Sequence, residues 1–165
     1  GDRFELGELI GGELVAKQFI GGAMLISRLA PVDYHRFHFP CAGTPGRASE
    51  IKGPLFSVNP IALRRSVRYL VQNKRMVTLL ETERFGLVAL IEVGATMVGG
   101  IRQSFIPGTK VKKGDEKGLF KFGGSCVITL FQRDRIVFDA DLREQSLNHI
   151  ETYAKMGERF GVATR

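Results

Sequence analysis

Two short segments of this 165-residue chain carry residue types that chemistry uses. The first is Pro31-Val32-Asp33-Tyr34-His35-Arg36-Phe37-His38-Phe39-Pro40, which holds two of the three histidines. An imidazole titrating near neutral pH serves as general acid or base, or as a donor to developing negative charge. In an extended segment residues i and i+3 point to opposite faces, so His35 and His38 are not expected to share a metal ion. The bland alternative packs one ring in the core with a bonded nitrogen and leaves the other exposed. The second segment is Lys121-Phe122-Gly123-Gly124-Ser125-Cys126-Val127-Ile128. Two glycines before a serine, at the entry to a β-forming run, make a tight turn whose backbone admits close approach. Attack by a serine hydroxyl on its own upstream carbonyl needs that freedom. An ordinary Gly-Gly hairpin turn reads the same way, so this tripeptide decides nothing alone.

The elements that must position these residues follow from periodicity. Phe4, Leu6, Leu9, Ile10, Leu14, Val15 and Phe19 recur at helical spacing over 4–19, weakened by Gly7, Gly11 and Gly12. Residues 23–29 read as a strand stopped by Pro31, and 43–53 are turn-rich. Asn59-Pro60 is a helix start, Asn capping free amides and Pro giving up an N–H that has no partner there. Leu63, Val67, Leu70 and Val71 then form an apolar stripe to residue 72, with Arg64, Arg65 and Arg68 on the other side as a solvated face or a dock for lipid phosphates. Runs rich in Val, Ile, Leu, Phe and Thr at 75–81, 85–93, 95–103, 126–131 and 135–139 read as strands. Residues 108–121 read as a basic, glycine-bearing loop; the GxxxxGK[ST] spacing is absent, so nucleotide binding is rejected. The tail 140–165 mixes short helix and strand signals.

Composition narrows the class. With 44% hydrophobic and 25% charged residues the chain is globular, and at this length folding hides roughly two-thirds of the unfolded surface. The longest apolar run, Leu87 to Ile91, is far shorter than the ~20 residues of a spanning helix, so membrane contact is expected to be peripheral. Cys41 and Cys126 show no CxxC spacing, which disfavours zinc and a disulfide framework and fits a reducing compartment. Residues 1–124 hold 18 basic and 11 acidic side chains, and 125–165 hold 6 of each, so the net +7 belongs to the first part. Such a field attracts anionic partners or serves solubility alone. Nucleic acid is the least favoured partner, because the basic residues are dispersed and no recognition motif is present.

Taken in order, Asp33-Tyr34-His35-Arg36-Phe37-His38, Leu55-Phe56-Ser57-Val58-Asn59-Pro60, Val93-Gly94-Ala95-Thr96-Met97-Val98-Gly99, and Lys113-Gly114-Asp115-Glu116-Lys117-Gly118 leading into Phe122-Gly123-Gly124-Ser125 resemble the phosphatidylserine decarboxylase family. The resemblance implies an inactive proenzyme that cuts itself at Gly124–Ser125. Ser125 attacks the glycine carbonyl, an N-to-O acyl shift gives an ester, β-elimination frees the upstream chain, and position 125 ends as a covalent pyruvoyl group. One catalytic domain, 1–165, would then hold a β-chain portion 1–124 and an α-chain portion 125–165 that remain associated. The pyruvoyl carbonyl would condense with the amine of phosphatidylserine, and loss of CO₂ would give phosphatidylethanolamine. His38 would be the base that activates Ser125, and His35 would face the substrate as proton donor, with Asp33 and Tyr34 holding the turn. The implied setting is an anionic membrane surface, the enzyme peripheral on the cytoplasmic face of a bacterial-type inner membrane; a homodimer stays open.

Two departures from the family pattern stand out. Cys126 replaces the usual serine or threonine, and a thiol is a weaker hydrogen-bond partner, so slower cleavage is expected. The upstream Pro-Ala-Asp-Gly-type segment, whose aspartate orients the histidine, has no match, so the chain is expected to be the C-terminal portion of a longer proenzyme. Lacking that partner leaves the tautomer unfixed. Two other functions stay open: a pyruvoyl decarboxylase of a soluble amino acid, and a non-cleaving lipid-binding domain. The expected fold is α+β, mainly short antiparallel strands in a compact, barrel-like sheet structure with a few flanking helices.

Overall fold

The computed structural model describes residues 3–96, 100–121 and 125–164. The N-terminal segment is not one helix. It forms α1 (Leu6–Ile10), α2 (Glu13–Ala16) and a 3-10 turn (Lys17–Phe19). The break falls at Gly11, whose φ of 81° lets its N–H return to the Gly7 carbonyl at 2.8 Å, a left-handed cap that costs glycine no Cβ clash.

Strand β1 (Ala23–Leu29) leads to β2 (Arg36–His38), β3 (Thr44–Pro45) and β4 (Ser49–Ile51). Helix α3 (Pro60–Arg65) starts as the sequence predicts, with Asn59 accepting the Ala62 N–H at 2.8 Å and proline in the first turn. The single helix expected over 59–72 is interrupted, because Ser66 is extended (φ −155°) and α4 (Tyr69–Gln72) is a separate turn. Strands β5 (Arg75–Thr82), β6 (Gly86–Val93), β7 (Gly100–Gln103), β8 (Glu116–Lys121) and β9 (Ser125–Phe131) follow, then β10 (Ile136–Phe138), α5 (Ala140–Leu147) and β11 (Gly161–Ala163).

The large sheet has the order β1-β9-β6-β5-β3, with β4 also on β5; β2-β8-β7 form a small sheet and β10-β11 a ribbon. Every strand pairing is antiparallel. The α+β class stands, but barrel-like closure does not: among the described residues no sheet returns to its first strand. The structure is layered. One face of the large sheet, through Met24, Ile91, Val93, Cys126 and Ile128, packs on Leu9, Phe19, Leu63 and Leu70 of the helical side. The opposite face, through Leu29 and Val127, packs on Phe37 and Phe120 of the small sheet. Gly118 permits that approach, since a Cβ there would meet the Arg102 carbonyl at 2.1 Å and the Phe37 ring at 2.7 Å.

Two arginines fasten the helices. Arg68 binds Glu8 at 2.8 Å and the Arg3 carbonyl at 3.1 Å, so it is not part of a solvated face. Arg75 is buried and donates to the carbonyls of Glu8, Leu9, Val71 and Asn73, closing the C-terminal ends of α1 and α4 with one guanidinium.

Candidate active site

Ser125 opens β9, and β9 lies inside the large sheet between β1 and β6. Its direct partner on β1 is Leu29. The side chain is fully buried and its Oγ has no hydrogen-bond partner among the described residues, an exception that asks for a reason, because buried hydroxyls are nearly always satisfied. Gly124, the predicted upstream half of the cleavage site, lies outside the described residues, as does the 97–99 part of the third motif.

Successive strand residues face opposite ways, so Cys126 points away from Ser125 into the main core. Burial pushes its thiol up to about 12, which keeps it neutral. Cys126 is a packing residue of the main core. Arg28, the register partner of Cys126, holds Glu151 through two hydrogen bonds of 2.8 and 2.7 Å, tying the C-terminal segment to this end of β1.

The two histidines sit at opposite ends of β8. Strand β8 runs from Glu116 toward Lys121, and so toward Ser125. His38 pairs with Glu116 at the far end, whereas the His35 carbonyl accepts the Phe120 N–H at 2.9 Å near the other. Each ring meets a carbonyl at Nδ1: Asp33 O for His35 at 2.6 Å, Gly114 O for His38 at 2.8 Å. A carbonyl only accepts, so Nδ1 carries the proton in both neutral rings and Nε2 is the free lone pair. The His38 Nε2 accepts from the Tyr34 hydroxyl at 2.8 Å. The His35 Nε2 is buried with no partner among the described residues. The tautomer expected to be unfixed without the upstream aspartate is thus fixed by Gly114. Asp33 accepts the Ala30 N–H at 2.6 Å and closes the turn between β1 and β2.

Sequence reading missed a buried ion pair in the layer between the sheets. Lys117 of β8 and Glu92 of β6 are each 1% exposed, with Nζ 2.9 Å from both carboxylate oxygens. Gln103 of β7 completes the group, accepting from Lys117 and donating to Glu92 at 2.8 Å each. The ammonium also lies 5.4 Å from the Phe37 ring centre and 5.2 Å from that of Phe105. Burial pushes the Glu92 carboxyl up and the Lys117 ammonium down, and each charge opposes the other's shift. Glu92 is the direct partner of Val127, two residues along β9 from Ser125, so the pair lies on the serine's face of the sheet. A glutamate inside the apolar run of β6 was the available signal.

Asn73 was missed as well. Fully buried, it exchanges hydrogen bonds with the Phe56 backbone at 2.9 and 2.7 Å and donates to the Gly94 carbonyl at 2.8 Å. Because Val93 pairs with Cys126, Gly94 is the next step of β6 toward Ser125. One amide therefore clasps the Leu55-to-Pro60 motif to the serine end of the sheet.

Ser125 thus heads an interior strand with a buried side chain, with His35 toward its end of β8 and His38 at the opposite end. The phosphatidylserine decarboxylase family model matches residues 1–162, and the chain belongs to that family. Among curated relatives, phosphatidylserine decarboxylase proenzymes of Chlamydia trachomatis serovar D and Fusobacterium nucleatum are 49% and 45% identical over 158 and 161 residues, covering 96% and 98% of this chain. That of Clostridium novyi is 45% identical over 159 residues, 96% of this chain. The chain spans about half the length of these relatives, 52% of the first and 54% of the other two.

Proposed function

We propose that this chain is the catalytic part of a phosphatidylserine decarboxylase that cuts itself between Gly124 and Ser125 and converts phosphatidylserine to phosphatidylethanolamine at an anionic membrane surface. The single observation that carries the reading is the buried, unpartnered Ser125 Oγ at the start of an interior strand. A hydroxyl with no bond to lose is free to attack its upstream carbonyl, and a position closed to bulk water protects an electrophile formed there. These features fit a pyruvoyl group at position 125. That group would supply a carbonyl that condenses with the substrate amine and accepts the electrons released as CO₂ leaves.

The chain's own residues divide the remaining work. For cleavage, Ser125 Oγ bonds to the residue-124 carbonyl carbon, the C–N bond breaks, and the amine takes the proton. Elimination then releases residues 1–124 with a free carboxylate, and hydrolysis at position 125 expels ammonia. His38, its Nδ1–H tied to Gly114 and its Nε2 to Tyr34, would present Nε2 as the base; because it pairs with Glu116 at the end of β8 away from Ser125, acting on the serine requires its segment to move as well as to release Tyr34. His35, whose Nε2 lies buried near the serine end of β8, serves as proton carrier to the substrate carbon: Nε2 first takes up the proton released when the substrate ammonium condenses, then returns it to that carbon. Association of the cut chains is supported by register: β9 pairs with β1 from Ala23↔Phe131 to Leu29↔Ser125 and with β6 from Val88↔Phe131 to Val93↔Cys126.

The test is denaturing intact-mass analysis with a carbonyl-trapping reagent. A fragment starting at position 125 that takes up the reagent is expected, and Ser125→Ala should stay full length. Efficient cleavage of Ser125→Ala would sink the mechanism.

A further inference from the structure

We infer that the outer face of α3, with the cleft beside it, is the surface by which the protein sits on an anionic bilayer. This inference rests on the lipid reading above and adds which face meets the membrane. Ile61, Arg64 and Arg65 stand at i, i+3 and i+4 of α3, so they share one face. Ile61 is 78% exposed between two exposed arginines. Beside it an open cleft of about 310 Å³ is lined by Phe56, Ile61, Arg65 and Tyr69, with Phe56 itself 43% exposed. Among the described residues neither arginine forms an ion pair, whereas the nearby Arg68 is engaged by Glu8. Arg64 feels the field of Glu151, whose carboxylate is already bound by Arg28.

Exposed apolar side chains flanked by unpaired guanidinium groups make a surface with a preference for anionic lipid: the cations meet phosphates while the apolar tips enter the acyl boundary. The position has functional sense. Asn73 ties Phe56 to Gly94, and Arg28, the register partner of Cys126, brings Glu151 and the field of Arg64 to the same end of the large sheet. A bilayer on α3 therefore faces the end of the sheet where Ser125 lies. Ile106, 71% exposed, follows β7 in a loop whose Gly108 N–H binds the Pro45 carbonyl, and β3 pairs at the opposite end of β5.

The chain has no tryptophan, so Ile61→Trp and Ile106→Trp each introduce a single reporter. Both are mixed with phosphatidylcholine vesicles with and without phosphatidylglycerol. The Ile61→Trp emission is expected to shift to the blue and to be quenched by brominated acyl chains only on the anionic vesicles, while Ile106→Trp does not respond. Arg64→Gln with Arg65→Gln should weaken co-sedimentation with those vesicles roughly thirtyfold. An Ile61→Trp reporter that stays unmoved, or a double variant that binds as tightly as the parent, overturns the inference. CO₂ release from a short-chain phosphatidylserine dissolved below its micellar concentration is measured alongside. Activity there without vesicle binding refutes the docking face and spares the decarboxylase reading; self-cleavage and CO₂ release both absent, with vesicle binding intact, refute that reading instead.

Discussion

Replacing Lys117 by methionine removes one half of a charge pair whose members are each 1% exposed. In the native protein burial disfavours both charges, and the partner at 2.9 Å opposes the upward push on the Glu92 carboxyl. Without it the choice is an uncompensated buried carboxylate or a protonated one. Breaking such a pair costs about 3–5 kcal/mol, which for a chain of this size lowers Tm by roughly 6–20 °C. The sign of the pH dependence follows from linkage. Folded Glu92, its carboxyl held above the ordinary value of 4.5, binds a proton that the unfolded chain has released. Stability of Lys117→Met therefore falls as pH rises above that value, with a limiting slope of about 1.4 kcal/mol per pH unit. Urea denaturation followed by circular dichroism, in a Ser125→Ala background so that one species is measured, should show the variant more stable at pH 5 than at pH 8. Adding Glu92→Leu should restore most of the loss, since an apolar pair of similar volume replaces the two charges at little cost. A single-variant loss below about 1 kcal/mol, or higher stability at pH 8 than at pH 5, would refute the account of a buried, mutually dependent pair.

His38→Ala should slow or abolish appearance of the fragment starting at position 125, while His35→Ala should leave cleavage largely intact and reduce CO₂ release; the opposite pattern would reverse the two roles. Cys126, its thiol pushed up to about 12 and buried, should resist iodoacetamide at pH 8 in the folded protein and react in urea, so rapid native labelling would contradict its place in the core. Asn73→Ala leaves the Phe56 and Gly94 backbone groups without their bonds and should cost about 2–4 kcal/mol in urea denaturation, with a loss under about 1 kcal/mol showing that the clasp does not hold.

Much of the frame was legible because it rests on local physics. Strands over 23–29, 75–82 and 86–93 follow from dense β-branched and apolar runs, and the start of α3 from an Asn-Pro cap. Strand β8 was hidden in what reads as a basic loop. Its Lys117 looks like a solvated residue until Glu92, 25 positions earlier, is placed against it. Arg68 reads as one of three equivalent surface arginines, yet only its own contact with Glu8, 60 residues away, separates it from Arg64 and Arg65. The expected helices over 4–19 and 59–72 broke for related reasons, since short segments gain more from packing both sides of a break on the sheet than from continuing a helix of modest propensity.

The sequence by itself determined the family pattern, the serine at a strand entry and the cap that starts α3, because each depends on residues adjacent in the chain. Only the tertiary structure decided which nitrogen of each histidine is free, that Ser125 Oγ is buried without a partner, and that Cys126 faces the other side. Burial and hydrogen-bond satisfaction depend on which distant strands come to lie alongside, and no local spacing records that.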